Sequence, residues 1–343
     1  MDFNIDIYIK DMWFYIGLLL CIFSFSKNSA FTRAWSNFLF LSYLVIVSLR
    51  SEIINHDTMN YIEHFKVASQ QDFTTILFTF TALGFEPAYN IIVFLLSTFC
   101  NEREFIFIIT IIPSILITRE FIKYKYHPSV VFFFHASIIL VSSAVTIRHY
   151  WAIAIAFIIL NSIILKEKDN SILKYFAIPL FHYSTIPLTF VLLYNKLRAR
   201  LTYKHLLFLF ILVIVAFVFS QNFIYSLYLH AHDRLVGGMS ANGGLRNLVN
   251  LSIVFLILFS ASRFSLIKSR MNFLLVTSIV ITILLIPFYG LNRITTFFAL
   301  IIIIHFQKYQ GRKSTVNILL LNLISIVSFL FFYFKQTILG GAG

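Results

Sequence analysis

Charged side chains are scarce in this chain. Only 12% of its 343 residues are Asp, Glu, Lys or Arg, whereas soluble domains carry about 25%. Hydrophobic residues make up 59% of the chain, and the mean hydropathy is +0.86. No polar stretch is long enough to form a soluble domain, and apolar runs of about 20 residues recur from end to end. The sequence therefore predicts an all-α polytopic integral membrane protein.

Cysteine and the common catalytic motifs are nearly absent. The two cysteines, Cys21 and Cys100, lie within or at the end of apolar runs, so neither a disulfide framework nor a cysteine metal site is predicted. The chain also lacks a P-loop and a Gly-x-Ser-x-Gly motif, and its predicted external loops contain no Asp-x-Asp metal pair. Any transferase chemistry is therefore expected to need no metal or cofactor and to use a lipid-linked donor.

Positive charge is in excess, with a formal net charge of +13. Most basic residues lie in short loops between apolar runs, which is typical of loops that face the cytoplasm rather than of nucleic-acid binding. Ahead of the first apolar run the chain has three aspartates and one lysine, the reverse of the basic start of a signal peptide. The run Met12–Ser26 is therefore predicted to be a retained span.

The apolar runs predict one membrane domain over residues 1–343, with about twelve membrane segments and external loops at about 50–85 and 221–247. Residues 73–83 are apolar but too short to span, so they are expected to lie in the interface, to re-enter or to cross. The segment Gly84–Pro87 is predicted to begin a helix that runs to about Cys100, and the next span ends near Thr118. This count places the loop Arg119–His127 outside, which conflicts with its basic character.

A broken helix is predicted around His182. The segment Ile172–Tyr194 is flanked by basic loops on both sides, so it is expected to begin and end in the cytoplasm. Pro179 and Pro187 interrupt helical hydrogen bonding on either side of His182. Two half-helices that meet at His182 satisfy both observations, and such breaks are tolerated where they line a cavity.

Four arginines fall at predicted external ends of spans, on the side where positive residues are normally rare. They are Arg50, Arg148, Arg246 and Arg293. A guanidinium binds phosphate with a planar, permanently charged fork, so these side chains are candidates for holding a lipid pyrophosphate. The alternative is that they reach toward lipid headgroups or pair with nearby acids.

Three side chains are candidates for proton transfer. Burial at a helix start is expected to raise the pKa of Glu86 toward the range of a general base, although an acid in a first helical turn also favours the helix dipole. Asp57 is a second candidate base, or a partner of Arg50 that orders the loop. His182 either exchanges a proton with a sugar hydroxyl or bonds a carbonyl freed by the nearby prolines.

Aromatic and hydroxyl groups near these candidates suggest a sugar site. Tyr61 and Tyr89 lie in the predicted external region, where a ring could stack on a sugar. Ser184 follows His182 in the broken helix. Most of the other aromatic residues are expected to face lipid or the membrane interface.

A succession of short motifs covers most of the chain. In order, it comprises Arg50, Asp57-Thr58-Met59-Asn60-Tyr61, Phe65, Phe85-Glu86-Pro87-Ala88-Tyr89, Ile147-Arg148-His149-Tyr150-Trp151-Ala152, Phe181-His182-Tyr183-Ser184 and Leu291-Asn292-Arg293-Ile294. This succession resembles the EpsG/Wzy family of bacterial polysaccharide polymerases. Two positions depart from the family pattern: His56 stands where a glycine is common, and Asn292 stands where an acid is frequent.

The resemblance implies a GT-C-like enzyme of the bacterial inner membrane that works at the periplasmic face. It would transfer a growing glycan from undecaprenyl pyrophosphate to the non-reducing end of a lipid-linked repeat unit, with inversion at the anomeric carbon. Arg148 and Arg293, with Arg246 and Arg50, would hold the pyrophosphate, and Glu86, Asp57 or His182 would deprotonate the acceptor.

The resemblance also implies donor and acceptor oligosaccharides linked to undecaprenyl pyrophosphate, the surrounding membrane lipid and a chain-length regulator as partners. Other functional classes also fit the residue pattern. A lipid-linked oligosaccharide flippase or transporter would line a cavity with arginines, an O-antigen ligase would use the same donor, and a membrane acyltransferase would use a histidine base.

Overall fold

The described part of the chain is built from helices. The computed structural model describes residues 5–50, 56–82, 86–139, 146–166, 172–197, 292–309, 318–319 and 321–330. These ranges contain no β-strand, so the predicted all-helical class is confirmed for them. The spans predicted between residues 201 and 291 and the loop at 221–247 lie outside the described residues.

The helices are numbered here in chain order. They are α1 (Ile5–Phe25), α2 (Ala30–Ser48), α3 (His56–Ala68), α4 (Phe73–Ala82), α5 (Pro87–Ser97), α6 (Glu102–Lys123), α7 (Pro128–Phe134), α8 (Ile147–Ile164), α9 (Leu173–Ala177), α10 (Ile186–Leu197), α11 (Asn292–Tyr309) and α12 (Leu321–Leu330). A π-helical turn, His135–Ile139, continues α7, and a 3₁₀ turn, Tyr183–Thr185, precedes α10.

Three of these helices are long and apolar enough to cross a membrane. They are α2 with 19 residues, α6 with 22 and α8 with 18. Shorter apolar helices lie in α1, α5, α7, α11 and α12. The described residues thus support a polytopic membrane protein, and the count of about twelve segments stays a prediction.

The chain divides into two compact units. One comprises Met1–Thr185 together with Ile303–Gly343, and the other comprises Ile186–Ile302. The second unit contains α10 and the beginning of α11. The side chains that form the candidate site described below belong to the first unit.

Capping residues define where two of the long helices begin. Ser29 precedes α2 and forms a capping box with Thr32, and Asn101 precedes α6 and forms a capping box with Glu104. In each box the cap side chain accepts from a free backbone N–H of the first turn. Because α6 has acids in its first turn and Lys123 in its last, its ends also complement the helix dipole.

A proline inside α6 creates the contact that joins α6 to α8. Pro113 has no N–H, so the carbonyl of Ile109 loses its usual intrahelical partner. The indole of Trp151 on α8 donates to that carbonyl with an Nε1–O distance of 2.8 Å. On its other side Trp151 stacks on Phe181, with ring centroids 5.4 Å apart and planes 4° apart. The proline therefore positions the turn that leads to His182.

Helices α1 and α7 run antiparallel. The indole of Trp13 donates to the carbonyl of His135 at 3.3 Å. Near the other end of the pair, the Ser129 hydroxyl donates to the carbonyl of Ser24 at 3.1 Å. Later residues of α1 therefore contact earlier residues of α7. The two helices connect the same two ends of the bundle in opposite directions.

Helices α2 and α6 are also antiparallel, whereas α6 and α8 are parallel. Arg50, just beyond α2, bonds Thr110 in the first half of α6, and Phe40 packs on Phe121 near its end. Between α6 and α8, the Trp151–Ile109 bond is followed by a bond from Asn161 to Glu120 at 3.2 Å. Helices α6 and α8 thus begin at the end of the bundle where α2 stops.

These directions resolve the conflict over the basic loop Arg119–His127. Since α2 ends and α6 begins at the same end of the bundle, residues 51–101 make no net crossing. Helix α5 has 11 residues and a length of about 16 Å, half of a bilayer core of about 30 Å. Counting α5 as a full crossing is therefore wrong, and the loop lies at the same end as the basic loop Lys27–Arg33.

The predicted interruption at His182 is confirmed. Helix α9 has five residues and ends at Ala177, and a turn and a 3₁₀ turn separate it from α10. Pro187 is the second residue of α10, where a missing N–H costs nothing. The interruption places His182 on irregular backbone, where its side chain can turn toward neighbouring helices.

Candidate functional site

Glu86 is the centre of the candidate site. It precedes α5 in an extended conformation, with φ −74° and ψ 139°, and Pro87 follows as the first helical residue. The Glu86 side chain does not cap its own helix; it is turned inward and is 2% exposed. The N–H of Ala88 donates to the carbonyl of Leu180 at 3.1 Å, so the start of α5 is fastened to the turn before His182.

Three groups from two distant segments bind the Glu86 carboxylate. Arg148 donates from Nη1 to Oε2 at 2.6 Å, a short charge-assisted hydrogen bond. His182 Nδ1 lies 3.2 Å from Oε1, and the backbone N–H of Tyr183 donates to the same oxygen at 3.3 Å. Both oxygens are therefore engaged, one by a guanidinium and the other by the His182 segment.

The contact with Glu86 assigns the tautomer of His182. The Ser184 N–H lies 3.5 Å from Nδ1, which would require Nδ1 to accept, whereas the carboxylate at 3.2 Å requires Nδ1 to donate. The carboxylate is closer and charged, so we assign the proton to Nδ1. In the neutral ring Nε2 is then the basic nitrogen.

Glu86 is ionised in this environment. Burial raises the pKa of the carboxyl, but the hydrogen bond from His182 and the positive charge of Arg148 outweigh burial, and the net pKa lies below the ordinary value. The expectation that burial brings this pKa up to the range of a general base is therefore wrong. Glu86 is better suited to orient its two partners than to accept a proton.

Arg148 is partly exposed, although its carboxylate partner is not. Its side chain is 24% exposed, and a guanidinium carries five N–H donors. Its central carbon lies 5.9 Å from the ring centroid of Tyr89, and the Tyr61 side chain hydrogen-bonds to it. One charged group of the site can therefore meet a ligand while it remains bound to Glu86.

The tyrosines predicted to bind sugar line Arg148 instead of presenting a free ring face. Tyr61 and Tyr89 are both buried, and their ring centroids are 5.8 Å apart. They belong to an apolar cluster formed by α3, α4, α5 and the first turns of α6 and α8. Sugar binding by these residues stays a prediction, and the geometry favours their role in positioning the arginine.

Ser184 lies beside His182, as its place in the sequence requires. Its hydroxyl oxygen is buried and has no hydrogen-bond partner among the described residues. A buried hydroxyl without a partner costs free energy unless a ligand or water completes it. Ser184 is thus compatible with the predicted sugar contact, which no observation tests.

Arg50 is buried away from the surface, with 1% exposure. Its Nη1 donates to the carbonyl of Val47 at 2.9 Å and to the hydroxyl of Thr110 at 3.1 Å. Helices α2 and α6 therefore hold this guanidinium in the bundle. Its position just beyond α2 fits the predicted end of a span, although the guanidinium is buried, and its binding of pyrophosphate stays a prediction.

Three predicted site residues have side chains outside the described part of the structure. Asp57 is the second residue of α3, and Arg293 is the second residue of α11. Arg246 lies outside the described residues altogether. Their proposed roles remain predictions.

Two histidines near the site were not identified as site residues from the sequence. His149 is 4% exposed, and its ring lies edge-on to that of His182, with centroids 5.2 Å apart. His64 on α3 packs on Tyr89 at 5.6 Å, and burial together with the charge of Arg148 lowers its pKa to about 4. The sequence signal that could have identified His149 is its position directly after Arg148. Consecutive residues of a helix point in different directions, so His149 can contact a second part of the same site.

Searches of curated proteins and of solved structures gave no match to this chain. A family model gave a match over residues 33–342, which include every residue of the site described above. Membership of this family suggests a role in exopolysaccharide biosynthesis. On this match, which covers most of the sequence, the chain belongs to the EpsG family.

Proposed function

We propose that this protein is a polysaccharide polymerase that uses lipid-linked substrates. It transfers a growing glycan from undecaprenyl pyrophosphate to the non-reducing end of a lipid-linked repeat unit. Family membership supports the substrate class, and the three candidate spans support a membrane location. The side-chain geometry supports the chemistry.

One observation carries the proposal: a single buried carboxylate binds both a guanidinium and an imidazole. Arg148 Nη1 lies 2.6 Å from one Glu86 oxygen, and His182 Nδ1 lies 3.2 Å from the other. A glycosyl transfer from a diphosphate needs a cation for the leaving group and a base for the acceptor. Glu86 holds these two groups next to each other.

The reaction is a displacement at the anomeric carbon of the donor glycan. The acceptor hydroxyl oxygen forms a bond to that carbon while the bond to the pyrophosphate oxygen breaks, and the configuration inverts. The hydroxyl proton passes to Nε2 of His182, and the departing undecaprenyl pyrophosphate keeps the electron pair. Arg148 stabilises the charge that develops on the diphosphate.

Glu86 acts through its partners in this mechanism. Its negative charge favours the protonated state of His182. Its contact with Nδ1 leaves Nε2 as the nitrogen that accepts the proton, as a carboxylate does for a histidine base. Its bond to Arg148 fixes one edge of the guanidinium, so the remaining donors are oriented before substrate binds. Asp57, Arg50, Arg246 and Arg293 are proposed as further contributors.

We further propose that the site faces the periplasm from the bacterial inner membrane. The basic loops Lys27–Arg33 and Arg119–His127 lie at one end of the bundle, which the positive-inside tendency assigns to the cytoplasm. Arg148 lies in the first turn of α8, at the opposite end. Ser184 and the two tyrosines are proposed to assist sugar binding, and a chain-length regulator is a proposed partner.

The test is reconstitution of the purified protein with undecaprenyl pyrophosphate-linked repeat units and no nucleotide. The expected product is a ladder of chain lengths. Arg148→Ala should insert normally and yield single repeat units, because the leaving group loses its cation, with a fall of roughly 100-fold or more in rate. Arg148→Lys should retain part of the rate, because it keeps the charge and loses the planar fork.

A matched control is Arg103→Lys, since Arg103 is exposed at the start of α6. Full-length ladders from Arg148→Ala would remove Arg148 from the mechanism. A parallel reaction with lipid A–core separates the alternatives. Transfer to that acceptor without chain growth indicates a ligase, movement of intact substrate between leaflets indicates a flippase, and acyl transfer indicates an acyltransferase.

A further inference from the structure

The first turn of α8 directs two consecutive side chains to two different partners. Arg148 reaches the carboxylate of Glu86, and the ring of His149 lies against the ring of His182. Successive residues of a helix point about 100° apart, so one rigid turn serves both contacts. His149 is 4% exposed and is therefore held by its surroundings as well as by its backbone.

The His149–His182 contact restricts a motion that the hydrogen bonds allow. Glu86 and Ser184 approach His182 from the Nδ1 side of the ring. These two contacts at Nδ1 do not by themselves prevent the ring from tilting about that nitrogen. The ring of His149 stands at 86° to that of His182, with centroids 5.2 Å apart, which is an edge-to-face arrangement. Such a contact blocks the tilt.

From this geometry we propose that His149 is a positioning residue for His182, holding its imidazole so that Nε2 keeps one direction toward the acceptor hydroxyl. The proposal rests on the proposed function, in which His182 accepts a proton. It assigns His149 no contact with substrate. Its contribution is orientation, and misplacing a catalytic group by about 1 Å can cost roughly 100-fold in rate.

The charges around His182 favour a neutral ring at position 149. Glu86 supplies one negative charge, and Arg148, which is paired with the same carboxylate, supplies one positive charge. When His182 takes up a proton, a second imidazolium in contact with it would repel that charge. A neutral aromatic ring avoids this repulsion, so phenylalanine should replace His149 with little loss.

The first experiment measures the reactivity of His182 in the purified full-length protein. Diethyl pyrocarbonate modifies exposed, neutral histidines, and mass spectrometry gives the rate at His182. His149→Ala should raise this rate about tenfold, because one side of the ring is uncovered. His149→Phe should return it to within about twofold of the wild-type rate, because the contact is rebuilt.

The second experiment measures chain growth by the same variants. His149→Ala should lower kcat by about 10- to 100-fold with little change in the KM of the lipid-linked donor, since only the base is misplaced. His149→Phe should recover most of kcat. His127→Asn is the matched control, because it removes a buried histidine at the other end of the bundle and asparagine is a good N-cap.

Three results would overturn the proposal. Equal modification rates in the wild type and His149→Ala would mean that the ring contact does not restrain His182. A failure of His149→Phe to recover kcat would mean that a ring nitrogen is required. A rise in donor KM with unchanged kcat would assign His149 to substrate binding. If the wild type itself makes no polymer, the proposed function fails, and the modification rates still decide the role of His149.

Discussion

Glu86 connects two groups that lie far from it in the sequence. Arg148 lies 62 residues after it, and the N–H of Tyr183 comes from 97 residues away. Burial raises the pKa of Glu86, and the hydrogen bond from His182 together with the charge of Arg148 outweighs that effect. A buried carboxylate that is paired and fully hydrogen-bonded resists protonation, so it keeps the geometry of the site constant over the neutral range.

His64 provides a prediction about pH and stability. Its pKa in the folded protein is about 4, below the ordinary value of 6.5, because of burial and the charge of Arg148. The unfolded chain therefore binds more protons between these two values, so folding stability should fall as the pH drops from about 6.5 toward 4. The loss attributable to this histidine is at most about 3 kcal/mol.

The measurement is the apparent melting temperature of the detergent-solubilised protein between pH 7.5 and pH 4.5. His64→Phe keeps a ring against Tyr89, and it should reduce the drop on acidification. Other histidines, such as His127 with a pKa of about 4, should leave part of the drop in place. An unchanged pH dependence in His64→Phe would contradict this assignment.

Sequence patterns identified Arg148, Glu86 and His182 as candidates but not their pairing. Helical periodicity predicts neighbours three or four positions apart, and these contacts join separate segments of the chain. For the same reason the burial of Arg50 was missed, since its partner Thr110 is 60 residues away. The raised pKa expected for Glu86 failed because burial was considered without the partners that accompany it.

At the scale of elements, the backbone hydrogen bond that Pro113 removes from α6 determines the contacts around it. The freed carbonyl of Ile109 accepts from Trp151, and Trp151 stacks on Phe181 beside His182. A proline in a membrane helix usually weakens the helix, unless a neighbour supplies the missing donor. Here the neighbour is α8, which has Arg148 as its second residue.

This arrangement predicts an energetic coupling between Pro113 and Trp151. Trp151→Phe should destabilise the protein by about 1–3 kcal/mol, because it leaves the Ile109 carbonyl without a donor. In a Pro113→Ala background the backbone N–H returns, so the same change should cost less by about 1 kcal/mol. Unfolding titrations of the four proteins in detergent measure the difference.

A control background is Pro128→Ala, because Pro128 occupies the first position of α7, where its missing N–H is not needed. The cost of Trp151→Phe should be the same there as in the wild type. If Pro113→Ala and Pro128→Ala change that cost equally, the indole does not replace the bond that Pro113 removes.

The half-length helices α4 and α5 could not be placed from sequence alone. Their apolar composition satisfies the criterion for a membrane segment, and only their length distinguishes them from spans. The break around His182 was predictable, because two prolines and the flanking basic loops independently indicate an interrupted helix in that segment. Composition fixes what a segment buries, whereas contacts with other helices fix its direction.

At the scale of the whole molecule, the helix directions distribute charge between the two ends of the bundle. In the first unit, Lys27 and Arg119 lie at one end, and Arg103, the second residue of α6, lies at the other. The positive-inside tendency assigns the end with Lys27 and Arg119 to the cytoplasm, and Arg103 is an exception to it. This distribution depends on the finding that residues 51–101 leave and return at one end.

The orientation can be tested by the accessibility of single cysteines in a background without native cysteines. Cysteines at positions 103 and 70, replacing Arg103 and Gln70, should react with an impermeant maleimide in intact spheroplasts. Cysteines replacing Lys27 and Arg119 should react only after the membrane is permeabilised. All four native residues are exposed in the structure. Labelling of position 119 together with position 103 in intact spheroplasts would contradict a membrane crossing by α6.

The return of residues 51–101 to the end where they started has a consequence for how such proteins diversify. Insertions or deletions in this stretch leave the side on which α6 begins unchanged. Segments between the site residues of this stretch can therefore differ in length without inverting the remainder of the chain.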